Sequence, residues 1–485
     1  MSAKGEGVVA AGHPLSAEAG VRALRAGGNA VDAVLAALLT AFVAEPLLTG
    51  LGAGGYLVVG GAGRKTQVLD FFTAVPRGRP KVDLNPVEVS FGDAVQTFYV
   101  GPASCAVYGV PAGVAFASRR FGRLPLSDLC EPAAALAEAG VPLNGAQAYV
   151  FAILADLLRQ SEEAASLYLP AGRPLREGEL FRSAELAEGL RLLGREGAKP
   201  FYQGAVAKAV CHHLERVGGA LTAEDLAAYR PILRTPLAVP YRRFAVLTNP
   251  PPAAGGILLA YSLLQLGEVP SPPQPRAIVS ALEAAQARRD AAFLRGLRQP
   301  GFAKRFLGSR LGGTTHVSAI DRDGMACAMT TTNGEGSAVV VPGTGIHLNN
   351  VLGEVDLNPE GFHRHPPGAR LPSMLAPTLV AGPQGVEAAL GSAGSNRIRS
   401  ALLQTIVNIL DKGMEVEAAL VAPRLHVEEG VVHHEPGIDL EGLERPTVRF
   451  GGLNLYFGGV QAVVRRDGVV EGAGDPRRGG AAAAA

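Results

Sequence analysis

Two runs of β-forming residues, 314–320 and 325–332, flank Asp321-Arg322-Asp323-Gly324. Alternating strand-like runs on either side of a turn rich in Asp and Gly instruct the chain to fold back as a β-hairpin. The hairpin lies in the middle of the chain, with strand-like and helical segments on both sides of it. That arrangement predicts an α/β layered architecture to which both halves contribute.

The flanking segments are legible from their periodicity. Residues 56–59, 68–72 and 241–247 read as strands, as do 338–341, 378–380 and 388–390. The apolar run 33–44 follows Asp32 and is too short to cross a bilayer, so it reads as a buried helix. Residues 113–290 are mostly helical in pattern, with Ile153, Leu154, Leu157 and Leu158 forming one core stripe and Leu186, Leu190 and Leu193 another. Helices are expected from Gly255-Gly256 through Leu266 and from Ile398 to Leu410. The run 481–485 is all alanine and reads as a frayed tail.

The hairpin's first strand opens with Gly312-Gly313-Thr314-Thr315-His316-Val317-Ser318. A threonine hydroxyl is a weak nucleophile until a base sits beside it, and its own α-amine can be that base once the preceding peptide bond is cut. Such an amine titrates near pH ~8, so a usable fraction is neutral at working pH. The sequence therefore nominates the Gly313–Thr314 bond for self-cleavage and Thr314 as nucleophile, in a stretch that otherwise reads as an ordinary strand start. Counting outward from the turn puts Thr314 opposite residues 331–333, which brings Thr330, Thr332 or Asn333 beside it. The stretch Gly391-Ser392-Ala393-Gly394-Ser395-Asn396-Arg397 joins a strand to a helix. Backbone N–H groups at such a helix start suit an anion or oxyanion, and equally a plain turn.

Other features exclude function classes. A formal net charge of +1 offers no electrostatic footprint for nucleic acid or an anionic membrane. The four cysteines, 105, 130, 211 and 327, have neither metal-ligand nor disulfide spacing and read as buried small apolar residues. His212-His213 and His433-His434 are adjacent pairs that cannot easily face one ion, while His13, His316 and His426 sit in apolar or strand contexts suited to structural roles. No metal or cofactor is expected. The sequence Gly50-Leu51-Gly52-Ala53-Gly54-Gly55 spells a dinucleotide fingerprint, but a helix precedes it and a strand follows, the reverse of what that chemistry needs. The first residues lack the apolar stretch of a secretion signal, so a cytoplasmic location is expected.

Together these segments resemble the γ-glutamyltranspeptidase family of N-terminal nucleophile hydrolases. The carriers span nearly the whole chain. In the first half they are Gly12-His13-Pro14-Leu15, Gly27-Gly28-Asn29-Ala30-Val31-Asp32-Ala33, Glu45-Pro46, Leu69-Asp70-Phe71, Pro111-Ala112-Gly113 and Phe201-Tyr202-Gln203-Gly204. In the second half they are Thr314-Thr315-His316, Pro342-Gly343-Thr344-Gly345-Ile346, Leu348-Asn349-Asn350, Ala422-Pro423-Arg424 and Asp475-Pro476-Arg477.

The resemblance implies a four-layer αββα sandwich formed by a large chain, 1–313, and a small chain, 314–485, cut from one precursor. It implies that Thr314 is the nucleophile, that Thr332 supports its hydroxyl, and that Gly394 and Ser395 supply oxyanion-hole N–H groups. Asn333 helps hold substrate, although it stands one position before the family's asparagine, where this chain has Gly334. The implied reaction is hydrolysis of γ-glutamyl amides such as glutathione, with transfer to amino acids or peptides as a variant. Departures from the pattern gather at substrate-binding positions. Phe72 replaces the arginine that pairs with the substrate α-carboxylate, Glu354 replaces the aspartate that pairs with the α-amine, and Pro372-Ser373 replaces paired serines. These departures open two alternatives: an acylase acting on a more apolar acyl amide, and a homologue that neither matures nor catalyses.

Overall fold

The computed structural model describes residues 2–90, 95–288, 293, 296–297, 315–358 and 360–485. The expected hairpin is present as strands Thr315–Ile320 and Met325–Thr332, with Ile320 paired to Ala326 and Thr315 to Thr331. Asp321 locks the turn. Its Oδ1 accepts the amides of Asp323 and Met325 at 3.0 Å, and its Oδ2 accepts the Ala30 amide at 3.0 Å. One carboxylate thus closes the hairpin and ties it to the start of the helix Ala30–Ala44.

Among the described residues, two seven-stranded sheets form the body of the protein. The hairpin is central in one, flanked by Val8–Ala11 on one side and Gly54–Gly61 on the other. The second sheet carries Gly385–Ala393 between Thr378–Gly382 and Gly459–Arg466. Side chains alternate across the first sheet. Leu57, Val59, Met325, Cys327 and Met329 join a core shared with the helix Ala30–Ala44, whereas Tyr56, Val58, Ala326 and Ala328 join the core shared with the second sheet. The far face of the second sheet is covered by helices Ala254–Gly267 and Ile398–Leu410. The result is the expected αββα sandwich. Strands buried on both faces can read as continuous apolar runs, as Val8–Ala11 does.

His316 shows how closely the sheets approach. Its ring lies against Gly391 of the facing sheet, where a Cβ would fall 2.2 Å from the ring. Its two nitrogens bond the hydroxyls of Thr330 and Ser318, each at 2.8 Å. Burial pushes its pKa down to about 3, so the ring is a neutral strut.

Three expectations need correction. Residues 241–247 do not form one strand: Leu237–Tyr241 and Phe244–Thr248 make a hairpin that turns at Arg242. Arg242 adopts a positive φ of 56°, and its side chain bonds Asp411 and the carbonyls of Leu266, Gly267 and Val269. Those tertiary contacts override the local strand pattern. Cys211 is only half-buried, unlike the other three cysteines. The alanine tail is not frayed. Ala481–Ala484 is an edge strand paired antiparallel to Val8–Ala11, with Ala481 buried. Its side chains are small enough to fit beside the first sheet, and its backbone supplies the hydrogen bonds that Val8–Ala11 would otherwise lack.

Deleting residues 481–485 therefore removes a ladder. Hydrogen bonds of this kind contribute about 1 kcal/mol each, so urea unfolding of the truncated protein should show a loss of roughly 2 kcal/mol or more. An unchanged midpoint would contradict the paired edge.

Candidate active site

The hairpin's open end, at Thr332, meets a cleft that opens to solvent. Thr332, Glu354, Gly394 and Ser395 all line it. Four residues from three separated stretches of sequence thus meet at one place. Gly313 and Thr314 lie outside the described residues; Thr315 is the first described residue after them.

Thr332 ends its strand opposite Gly54, and its Oγ1 accepts the Gly334 amide at 2.7 Å. That bond begins a tight loop with Gly334 at a φ of 69°. A Cβ on Gly334 would fall 2.0 Å from Asn350 Oδ1 and 2.8 Å from Glu354 Oε1, so glycine lets the loop lie flat beside Glu354. Asn350 Oδ1 also accepts the Glu335 amide at 3.0 Å. Its neighbour Asn349 bonds the carbonyls of Gly52 and Ala106 at 2.9 and 3.1 Å. The Asn349-Asn350 pair is therefore scaffolding that sets the cleft wall.

On the opposite wall, strand Gly385–Ala393 runs into Gly394 and then the helix Ile398–Leu410. Gly394 has a φ of 123°, and a Cβ there would sit 2.6 Å from the Gly458 Cα. Ser395 also has a positive φ, 51°. A non-glycine residue held there is uncommon and concentrates at functional sites. The positive end of the following helix dipole favours negative charge near this loop.

The remaining nominated residues occupy other surroundings. Asn333 is buried just outside the lining set. It donates its amide to Leu48 O at 3.3 Å and accepts the Asn350 amide at 3.0 Å. Ser373 is buried at the start of the helix Ala254–Gly267, where its carbonyl accepts the amides of Ala254 and Gly255 and its hydroxyl accepts the Leu375 amide. Phe72 is fully buried and stacks on Tyr56 with ring centroids 5.6 Å apart. Its carbonyl accepts from Tyr229 and Arg370, and Asp70 nearby pairs with Arg234 and Arg370. Neither Ser373 nor Phe72 is among the residues lining the cleft.

Sequence reasoning missed part of the lining. Val150, Ile153 and Leu154, of which the last two read as core stripe, form one wall, with Leu47, Leu48, Phe98 and Leu455 completing its apolar surface. Amphipathic spacing alone does not tell a core stripe from a cleft wall. Two cations, Arg397 and Arg478, also reach the cleft. Arg397 stacks on Tyr456 at 4.5 Å. Arg478 crosses Gly459, where a Cβ would fall 2.6 Å from its Cδ, and ends beside Gly394. Its position is set by a buried network in which Asp475 pairs with Arg424 at 2.6 Å and with Arg477 at 3.2 Å, and Arg477 pairs with Glu435. Asp475-Pro476-Arg477 was visible in the sequence, and its consequence for the next residue was the missed signal.

Glu45, at the end of the helix Ala30–Ala44, is 2% exposed. Burial pushes its carboxyl up to about 7, against smaller opposing effects from the Thr315 hydroxyl and the Arg478 charge. Because the folded protein favours the neutral acid, the stability from this group is complete below the unfolded carboxyl range near pH 4.5 and is lost as pH rises through about 7. Between pH 5 and pH 8 the loss should be roughly 2.5 kcal/mol. Urea midpoints of the Thr314→Ala protein should fall over that interval relative to those of Thr314→Ala/Glu45→Gln. Parallel pH curves for the two proteins would contradict a buried, neutral-favouring Glu45.

Comparison with known proteins agrees with this geometry. The family model for γ-glutamyltranspeptidase matches residues 16–292 and 288–485. An acylase ACY 1 proenzyme from Pseudomonas sp. (strain SE83) is 32% identical over 471 residues, covering 89% of this chain and 84% of the relative. A glutathione hydrolase proenzyme from Bacillus subtilis (strain 168) is 28% identical over 539 residues, covering 98% and 91%. The crystal structure of cephalosporin acylase from Bacillus halodurans superposes with a TM-score of 0.84 at 26% identity, covering 100% of this chain and 96% of that one. The matched relatives are proenzymes, and the sandwich and cleft lie where the central hairpin ends. This chain belongs to the γ-glutamyltranspeptidase family of N-terminal nucleophile hydrolases.

Proposed function

We propose that the chain is a precursor that cleaves its own Gly313–Thr314 bond and then hydrolyses acyl amides whose acyl portion is largely apolar. In maturation the Thr314 hydroxyl oxygen attacks the Gly313 carbonyl carbon and the C–N bond breaks. The hydroxyl proton ends on the released nitrogen, and water hydrolyses the resulting ester. The products are a Gly313 carboxylate and a Thr314 with free hydroxyl and amine. In turnover the amine takes the proton as the hydroxyl attacks the substrate amide. N–H groups of the Gly394-Ser395 loop receive the oxyanion, a donor class whose single loss costs about 10²–10³ in rate. The amine product leaves with that proton, and water releases the acid.

The observation that carries the substrate reading is the cleft wall: Leu47, Leu48, Phe98, Val150, Ile153, Leu154 and Leu455 present hydrocarbon. Phe72, where the resemblance implies a carboxylate-binding arginine, is buried against Tyr56. Hydrogen bonds to charged groups are worth about 1.5–3 kcal/mol, so losing that contact lowers selectivity for an α-carboxylate by roughly 10–100-fold. The relatives named acylases support the same reading.

A second reading, γ-glutamyl hydrolysis with transfer to an amine acceptor, is favoured by a different observation. Glu335 and Glu354 both line the cleft, and carboxylates there suit a substrate α-ammonium. Butyryl, glutaryl and γ-glutamyl p-nitroanilides separate the two. The acylase reading expects kcat/KM for the butyryl anilide to exceed those for the carboxylate-bearing glutaryl and γ-glutamyl anilides by about 10-fold or more. A γ-glutamyl value in the ordinary enzyme range of about 10⁴ M⁻¹s⁻¹ or above, with the others slower, would replace it. Thr314→Ala should abolish both maturation and turnover of every anilide, and retained turnover would refute the nucleophile.

A further inference from the structure

The segment following the helix Ala30–Ala44 grips the central hairpin at three points, all at its open end. Thr315 donates its hydroxyl to Glu45 Oε1 at 3.3 Å. The hydroxyls of Thr49 and Thr331 lie 2.7 Å apart. The Leu48 carbonyl accepts the Asn333 amide at 3.3 Å. Thr315 and Thr331 are register partners, so Glu45 and Thr49 hold the two strands at one level.

Glu45 is itself held in place. Its amide bonds Ala41 O at 2.7 Å, and its carbonyl accepts the Leu48 amide at 3.0 Å. Its carboxyl presses on Gly12, where a Cβ would fall 2.3 Å from Oε1. A buried carboxyl is costly, and an apolar residue of the same size would serve the fold better. What Glu45 gives in return is a hydrogen bond to Thr315, the second residue after the scissile bond.

We propose that Glu45 is a positioning residue for self-cleavage, anchoring Thr315 so that the Gly313–Thr314 bond is presented for attack by the Thr314 hydroxyl. This rests on the self-cleavage proposed above. The bond changes are those of maturation already given, and Glu45 neither gains nor loses a covalent bond. A displacement of about 1 Å at a reacting group costs up to ~10²-fold in rate, so loss of the anchor should be large and local.

The test follows conversion of freshly translated full-length precursor to two chains by gel and intact mass. Glu45→Met and Thr315→Val should each slow conversion about 10-fold or more, whereas Thr315→Ser should convert at near the wild-type rate. The double variant Glu45→Met/Thr315→Val should be no slower than the slower single variant, because both remove one interaction. Urea midpoints in the Thr314→Ala background should show that Glu45→Met, which removes the buried carboxyl along with the acceptor, does not lower stability at pH 8, which separates positioning from misfolding. Wild-type conversion by Glu45→Met, multiplicative slowing in the double variant, or a lowered midpoint for Glu45→Met would overturn the assignment and leave self-cleavage standing. A wild-type chain that never converts would overturn both.

Discussion

Burial of one hairpin on both faces is the constraint from which the rest of this structure follows. Strands Thr315–Ile320 and Met325–Thr332 are buried throughout, with one set of side chains meeting a helix layer and the other meeting the second sheet. A slip of one residue would exchange the two sets and push His316 away from Gly391. Register is therefore tightly specified, and with it the position of Thr332 at the cleft. The turn carboxylate of Asp321 and the Glu45–Thr49 segment fasten the hairpin at its two ends.

The departures from the family pattern acquire a physical meaning at position 72. An arginine there would bring a charge into a cluster that already holds Arg234 and Arg370 around Asp70. Phenylalanine instead completes a stack with Tyr56, and Arg370 lies over the Tyr229 ring at 4.6 Å. That region serves packing in this chain, while cationic charge reaches the cleft from Arg397 and Arg478 on the other side. Together with the hydrocarbon wall, this redistribution is what supports the proposal of an acyl group less polar than γ-glutamyl.

Much of this was legible from residues alone. The hairpin turn follows from its Asp- and Gly-rich residues, the helix Ala30–Ala44 from a nearly unbroken apolar run, and the helix Ile398–Leu410 from its recurring apolar residues. The meeting of Thr332, Glu354, Gly394 and Ser395 needed the resemblance, since nothing in their spacing brings them together. What stayed hidden depended on tertiary partners. The alanine tail is a strand because Val8–Ala11 lacks another neighbour on that side, and the Arg242 turn is held by carbonyls from a distant helix end. Arg478 is carried to the cleft by an ion network whose members come from three separate stretches. Local sequence encodes which residues prefer a strand or a turn, and does not encode which distant group will claim them.

The proposed chemistry begins with a single backbone scission. N-terminal sequencing of the purified, active protein, together with intact mass, examines it directly. The prediction is two chains, the smaller beginning Thr314-Thr315-His316. An active protein that remains one uncut chain, or a small chain beginning at any other residue, would contradict it.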